Sequence, residues 1–455
     1  MTMKTYHPPL TPNQASPTPL LIILAALLGC AGHASAETPP STPAEKQIDF
    51  WTFSKNYIAP YQSIATESPD ADSISVEHRS VDDLVKALSD AQTPDLVELD
   101  YDTLLLAAGT NPSPLRLVDL RERVDAGELK DLFVDGAFDC AEQEGRLLGL
   151  PMNIHPVMLC YRADVFEAAG IKVEEIDTWD DFERLTRPLQ IDLDGDGTID
   201  RRVMDLGSNS IHTVLTLMRQ ADGPLIDETG RPVFASDANA AVLATAVSWI
   251  VSNDPFSRDA PQFSRSANQL RRNGEVLACV MPDWLAGVWR SDLPELRGKV
   301  KLMPLPAWRR GGRRSSLWAG SVLALNASSP DLQAAWKLAT AIALSPEVAA
   351  AGFAEGYVVS PVLEHQKLDI YDQPDLYFSG EAAGRAFLNT LAAAPRRSGS
   401  PLRADAEAAV GQAFDRLFLF AEELRLAGVV APDREKLVAE AKAALRSAQE
   451  LLLRE

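Results

Sequence analysis

The stretch from Gly149 to Phe182 constrains the fold more than any other part of the chain. It opens on a Gly-Leu-Pro turn, and the apolar run Pro156–Tyr161 (PVMLCY) follows. An apolar run without alternation predicts a strand buried on both faces, so other layers must cover its sheet on each side. Asp164-Val-Phe-Glu-Ala-Ala predicts a helix stopped by Gly170. Thr178 then predicts the cap of a second helix, with Asp180 and Asp181 in its first turn.

At 455 residues the chain exceeds one compact core, which predicts two lobes or domains. A hydrophobic share of 46% is ordinary for a globular protein. The net charge of −21 argues against nucleic acid and an anionic membrane surface as partners, since either needs a basic patch. The pairs Arg309-Arg310, Arg313-Arg314 and Arg396-Arg397 are short and sit in Gly/Ser-rich loops, where solvated charge is the plain reading. Residues 1–36 read as a targeting segment: Lys4 is its only Lys or Arg, and the apolar run Leu20–Leu28 is too short to span a bilayer. Two processing sites compete there. Leu27-Leu28-Gly29-Cys30 resembles a bacterial lipobox with Cys30 as the lipidated residue, and Ala34-Ser35-Ala36 fits ordinary signal cleavage. Either predicts an exported protein, periplasmic or in the cell envelope, and membrane-anchored if Cys30 is processed. Residues 37–47 read as a polar tether.

Beyond the tether, Gln47–Phe53 predicts a strand, Val81–Ala91 a helix, Pro94–Leu99 a strand, and Leu104–Ala108 a helix ended by Gly109. This alternation predicts a largely parallel sheet covered by helices, hence an α/β class. Glu275–Met281 and Val300–Leu305 are again strand-like. Ser328–Ala350 predicts one helix capped near Ser329 and started by Pro330, and 404–455 is helical with a break at Gly428–Pro432.

The segment from Gly149 to Phe182 resembles the first interlobe crossing of extracellular solute-binding proteins of the maltose-binding type (family 1), the receptors of bacterial ABC sugar transporters. Three further stretches carry the resemblance: Pro94-Asp-Leu-Val-Glu-Leu-Asp-Tyr-Asp102, Met281-Pro-Asp-Trp-Leu-Ala-Gly-Val-Trp289, and Ser316-Leu-Trp-Ala-Gly320 through Pro330 with Ala334-Ala-Trp-Lys-Leu338. It implies a two-lobe periplasmic-binding-protein fold (type II) with discontinuous lobes, a hinge and a cleft between them. The first lobe is expected at 48–152 plus 306–357 and the second at 156–303 plus 361–455. Crossings are expected near 152–156, 303–306 and 357–361. It further implies a monomer that captures a sugar or oligosaccharide by hinge closure and delivers it to permease subunits. A signalling receptor of the same fold, or a secreted polysaccharide-active enzyme, stays as the alternative. Two features depart from the family pattern: the loop after Trp51 is short, and Leu99 stands where a sugar-stacking aromatic is common, leaving Tyr101 as its substitute.

Sugars present flat C–H faces and rims of hydroxyls, which call for aromatic plates and carboxylate or amide acceptors. On the expected cleft side those residue types are Phe53, Ser54, Asp100, Tyr101, Asp102, Asn153, Asp283, Trp284, Trp318 and Tyr357. Tyr357 is read either as stacking on ligand or as bracing the hinge. Asp192-Leu-Asp194-Gly-Asp196-Gly-Thr198-Ile-Asp200 places oxygens at positions 1, 3, 5, 7 and 9 of a calcium-type loop, while Val203 replaces the final Glu. It is expected to hold a structural Ca2+, with a solvated acidic turn as the alternative. The chain contains no Gly-x-Ser-x-Gly, His-Glu-x-x-His or phosphate-loop motif, so no catalytic residue or catalytic cofactor is assigned. Of four cysteines, Cys30 is in the targeting segment, and an odd number remains: Cys140, Cys160 and Cys279. The lobe assignment places Cys160 and Cys279 together, as the pair to join if any does.

Overall fold

The computed structural model describes residues 48–454 except 68–73, 90–92, 110–115, 140, 144, 397–399, 401 and 429–433. The targeting segment, Cys30 and Cys140 therefore lie outside the described residues. Two mixed sheets, each flanked by helices, make the two lobes of an α/β molecule. In the first sheet β1 (Ile48–Thr52) pairs in parallel with β2 (Ile74–His78) and β3 (Leu96–Asp100). A short hairpin, β4 (Glu142–Gln143) and β5 (Arg146–Leu147), precedes β6 (Leu150–Asn153). The second sheet holds β7 (Pro156–Arg162), β8 (Arg202–Asp205), β9 (Ser257–Arg258), β10 (Val276–Pro282), β11 (Val300–Met303) and β12 (Ser316–Leu317), and β13 (Ser321–Leu325) returns to the first.

The expectation of a largely parallel sheet is corrected. β13 inserts between β3 and β6 and runs antiparallel to both. β3 and β6 run toward the second lobe, and β13 comes back from it, so its direction is reversed by necessity. β7 is likewise antiparallel to β10 and β11. Its apolar run follows from its place. Val157, Leu159 and Tyr161 enter one core, and Met158 and Cys160 enter the other.

Local chemistry sets the helix starts. Thr178 accepts from the Asp181 N–H at 3.1 Å, and the Asp181 carboxylate returns a bond to Thr178 N, closing a capping box on helix Trp179–Thr186. Hydrogen bonds from Arg184 and then from Thr178 hold the Asp181 carboxyl down at about 2. The single helix expected over 328–350 is two. Asp331, not Ser329, caps Leu332–Ala343, and the Ser345 hydroxyl caps Pro346–Gly356. Pro346 enforces the break, because proline disfavours a helical residue before it and starts a new first turn. Helices Arg403–Leu426 and Arg434–Leu452 form a hairpin on helix Asp237–Ile250, in the second-lobe core.

Two expected crossings move. β6 passes to β7 through Ile154-His155, within the expected span. The return falls at Trp318–Gly320 rather than 303–306. Residues 304–315 stay on the second lobe, where Ala307 N–H donates to Asp177 O, and β12 pairs with β7. After Gly356 the chain keeps to the first lobe past 357–361, since Val362 bridges Phe133 and His365 Nε2 meets Leu344 O at 3.0 Å. It joins the second lobe by Tyr377, whose carbonyl accepts from Gly298 N–H. Cys160 and Cys279 are both free and buried, directly opposed across β7 and β10. Among the described residues no helix is long and apolar enough to cross a membrane.

Thr178→Ala removes an N-cap acceptor and is expected to lower stability by about 1 kcal/mol, read by urea denaturation. At the return crossing, a Cβ on Gly320 would lie 2.3 Å from Asn153 O, which is backbone and has no room to yield. Gly320→Ala is therefore expected to destabilise more than Thr178→Ala in the same measurement.

Candidate functional site

β10 ends in Pro282, and helix Asp283–Asp292 begins at the next residue. Asp283 is fully buried, and its carboxylate is fully used. Oδ1 accepts from Trp284 N–H and from His155 Nδ1, both at 2.7 Å, and Oδ2 accepts from Val359 N–H at 2.9 Å. His155 sits at φ 45°, and its carbonyl accepts from Trp318 N–H at 2.8 Å. One carboxylate thus joins the first crossing, the second lobe and the segment after helix Pro346–Gly356. Through His155 it also reaches the return crossing.

Trp284 and Trp318 are positioned from this hub, and both line one cavity of about 190 Å³. Asn209, Ser210, His212, Thr213, Asp259 and Gln262 supply its polar rim. Trp284 stacks on the exposed ring of Phe263, centroids 6.3 Å apart and planes 8° apart. Asp205 also lines this cavity and is ion-paired with buried Arg271 at 2.7 Å; burial pushes the Asp205 carboxyl up to about 6 against the pull of Arg271. A second cavity of about 140 Å³ adjoins, lined by Asp102, His212, Leu215, Thr216, Arg219, Trp318, Ala319 and Glu407. Asp102 comes from the first lobe and Glu407 from the C-terminal hairpin on the second, so this cavity exists only while the lobes are together.

Over residues 67–350 the sequence matches the family of bacterial extracellular solute-binding proteins. The chain belongs to that family. It is 23% identical over 333 residues to an arabinooligosaccharide-binding protein of Bacillus subtilis, covering 70% of this chain and 72% of the relative. A lactose-binding protein of Rhizobium radiobacter is 24% identical over 263 residues, covering 56% of this chain and 60% of that protein. The sugar-binding protein MalE from Xanthomonas citri superposes with a TM-score of 0.66 at 20% identity, covering 90% of this chain and 98% of that one. A binding protein from B. animalis subsp. lactis in complex with beta-1,6-galactobiose gives 0.65 at 18%, covering 89% and 98%. At such identities the structures establish the two-lobe α/β fold.

In this solute-binding protein the expected ligand residues divide sharply. Asp102, Trp284 and Trp318 line the cavities. The other seven do other work. Asp283 is spent on the hub. Asp100 Oδ1 accepts from Thr103 N–H at 2.7 Å and caps helix Tyr101–Gly109. Tyr101 is buried with the Arg403 guanidinium 5.7 Å above its ring. Asn153 is locked to Ser321 by two bonds of 2.9 Å. Phe53 packs on the first core, and Ser54 N–H donates to Thr52 Oγ1. Tyr357 braces: it caps its helix at φ 60°, donates to Asp375 Oδ2, and lies under Arg290. The reading missed Asn209, Ser210, His212, Thr213, Arg219, Gln262 and Glu407. Asn209-Ser210 before an apolar helical run was a legible start signal; nothing local marks Glu407.

In the acidic loop, carboxylate oxygens of Asp192, Asp194 and Asp200 lie within 4.8 Å of one another. Asp196 is outside that set, and its Oδ1 accepts from Thr198 N–H. Backbone N–H groups of Gly197 and then Gly195 hold the Asp192 carboxyl below its usual range.

Asp283→Ala leaves Val359 N–H buried without its acceptor and frees His155. The expected cost is about 3 kcal/mol by urea denaturation. Near-ultraviolet circular dichroism is expected to change as well, because both tryptophans lose their anchor.

Proposed function

We propose that this protein captures a carbohydrate between its lobes and delivers it to the permease of an ABC transporter. The observation that carries the reading is the pair Trp284 and Trp318 on one cavity rimmed by amide, hydroxyl, imidazole and carboxylate groups. Indole faces match the C–H faces of sugar rings, and the rim supplies hydrogen bonds to hydroxyls. The names of the relatives support the same ligand class. Closure follows from the second cavity: a ligand touching both Asp102 and Glu407 gains contacts that a separated state lacks, and that difference shifts the population. Binding and closure need no bond-making group, in keeping with relatives that are binding proteins.

The chain is expected to be exported, with Cys30 carrying a lipid anchor. In membrane fractions of cells expressing the full chain, Cys30→Ala is expected to release the protein; retention of the variant overturns the anchor. Calcium is the proposed occupant of the Asp192–Asp200 loop, where three convergent carboxylates suit a hard cation. Calcium is expected to raise the melting temperature of the native protein and not of Asp192→Asn. No rise in either leaves a solvated acidic turn.

A thermal-shift screen of neutral mono- and oligosaccharides tests the main reading. A ligand at about 100 times its Kd adds about 2.7 kcal/mol to the native state, a readily measured shift. Trp284→Ala is expected to shrink it strongly with the fold intact. A response to polyamines or peptides, with none to sugars, overturns the carbohydrate assignment.

A further inference from the structure

The two cavities share Trp318 and His212 and nothing else. Neither cavity alone, at about 190 and 140 Å³, reaches the ~300 Å³ at which ligand pockets begin; taken together they do. Trp318 and His212 stand between them as the common wall of two adjoining compartments.

Their chemistry differs. The larger compartment has two indole walls and a rim of Ser210, Thr213, Gln262 and Asp259, suited to one sugar ring held chiefly by its faces. The smaller has the single wall of Trp318, with Asp102 and Glu407 facing it from opposite lobes beside Arg219. Carboxylates accept strongly from paired hydroxyls, so this compartment suits a ring held by its rim. Side chains outside both linings flank the two ends. Beyond Trp284 the ring of Phe263 already stacks on the indole, where a further sugar ring would sit. At the other end buried Arg403, one helical turn before Glu407 and 3.3 Å from it, covers Tyr101.

Resting on the carbohydrate reading, we infer that the site takes a neutral saccharide of two rings, one in each compartment with Trp318 at the glycosidic junction, and that Glu407 is a specificity residue for the second ring. Glu407 lies outside the 67–350 span matched to the family.

Isothermal titration of the full chain with arabinose, arabinobiose and arabinotriose, and with glucose, maltose and maltotriose, tests this. Within the series that binds, affinity is expected to rise about 30-fold or more from one ring to two, and less than about 3-fold from two to three. Glu407→Gln is expected to lower two-ring affinity about tenfold more than one-ring affinity, whereas Trp284→Ala lowers both alike. Melting temperatures of the variants check that each is folded. An affinity that levels off at one ring, or climbs another tenfold at three, overturns the two-ring inference while leaving carbohydrate capture standing. Equal losses for both ring numbers in Glu407→Gln overturn the role of Glu407. Binding of no sugar in either series overturns the carbohydrate reading and this inference with it.

Discussion

The buried carboxylate of Asp283 is the constraint on which the cleft depends. An ionised carboxylate out of water costs several kcal/mol unless its lone pairs are met by donors. Here the donors are His155, Trp284 N–H and Val359 N–H, each from a different part of the chain. Its place at the first residue of helix Asp283–Asp292 adds the favourable field of a helix N-terminus. Meeting that need fixes His155 in a left-handed conformation and, through its carbonyl, the start of the return crossing. Both cavity tryptophans are thus consequences of one electrostatic demand: Trp284 is the next residue, and Trp318 hangs on His155.

A second buried carboxylate does similar work inside the first lobe. Glu98, on β3, accepts from Thr52 Oγ1, Tyr61 OH and Ser321 Oγ, and Ser321 in turn binds Asn153. The network runs across the sheet from helix Ile58–Glu67 to the end of β6. Burial pushes the Glu98 carboxyl upward while these hydroxyls pull it down. The first lobe thus meets the crossings as a fixed edge, and closure is confined to the segments between the sheets.

Much of the fold was legible in local patterns. The unbroken apolar run of β7 announced a strand with two covered faces, and Thr178 announced its helix. Trp284 and Trp318 were legible as cavity residues because each follows a strand end with small or acidic neighbours. Other polar residues misled. Asp100, Asp283 and Asn153 have the right chemistry for a sugar, yet each satisfies backbone or side-chain groups of this chain. A polar residue's type does not say which partner it will meet. The crossings at 303–306 and 357–361 misled similarly, because proline marks a loop without saying on which lobe the loop lies.

The sequence by itself determined the α/β class, two lobes, export and the family, because these rest on periodicity, length and order along the chain. Tertiary structure alone decided which carboxylates face the cleft, where the return crossing runs, and that Glu407 from the last hairpin completes a cavity with Asp102, some 300 residues earlier. The physical reason is reach: short-range patterns record what a residue needs from its neighbours in sequence, whereas a cleft is built from residues that meet only after both lobes have packed.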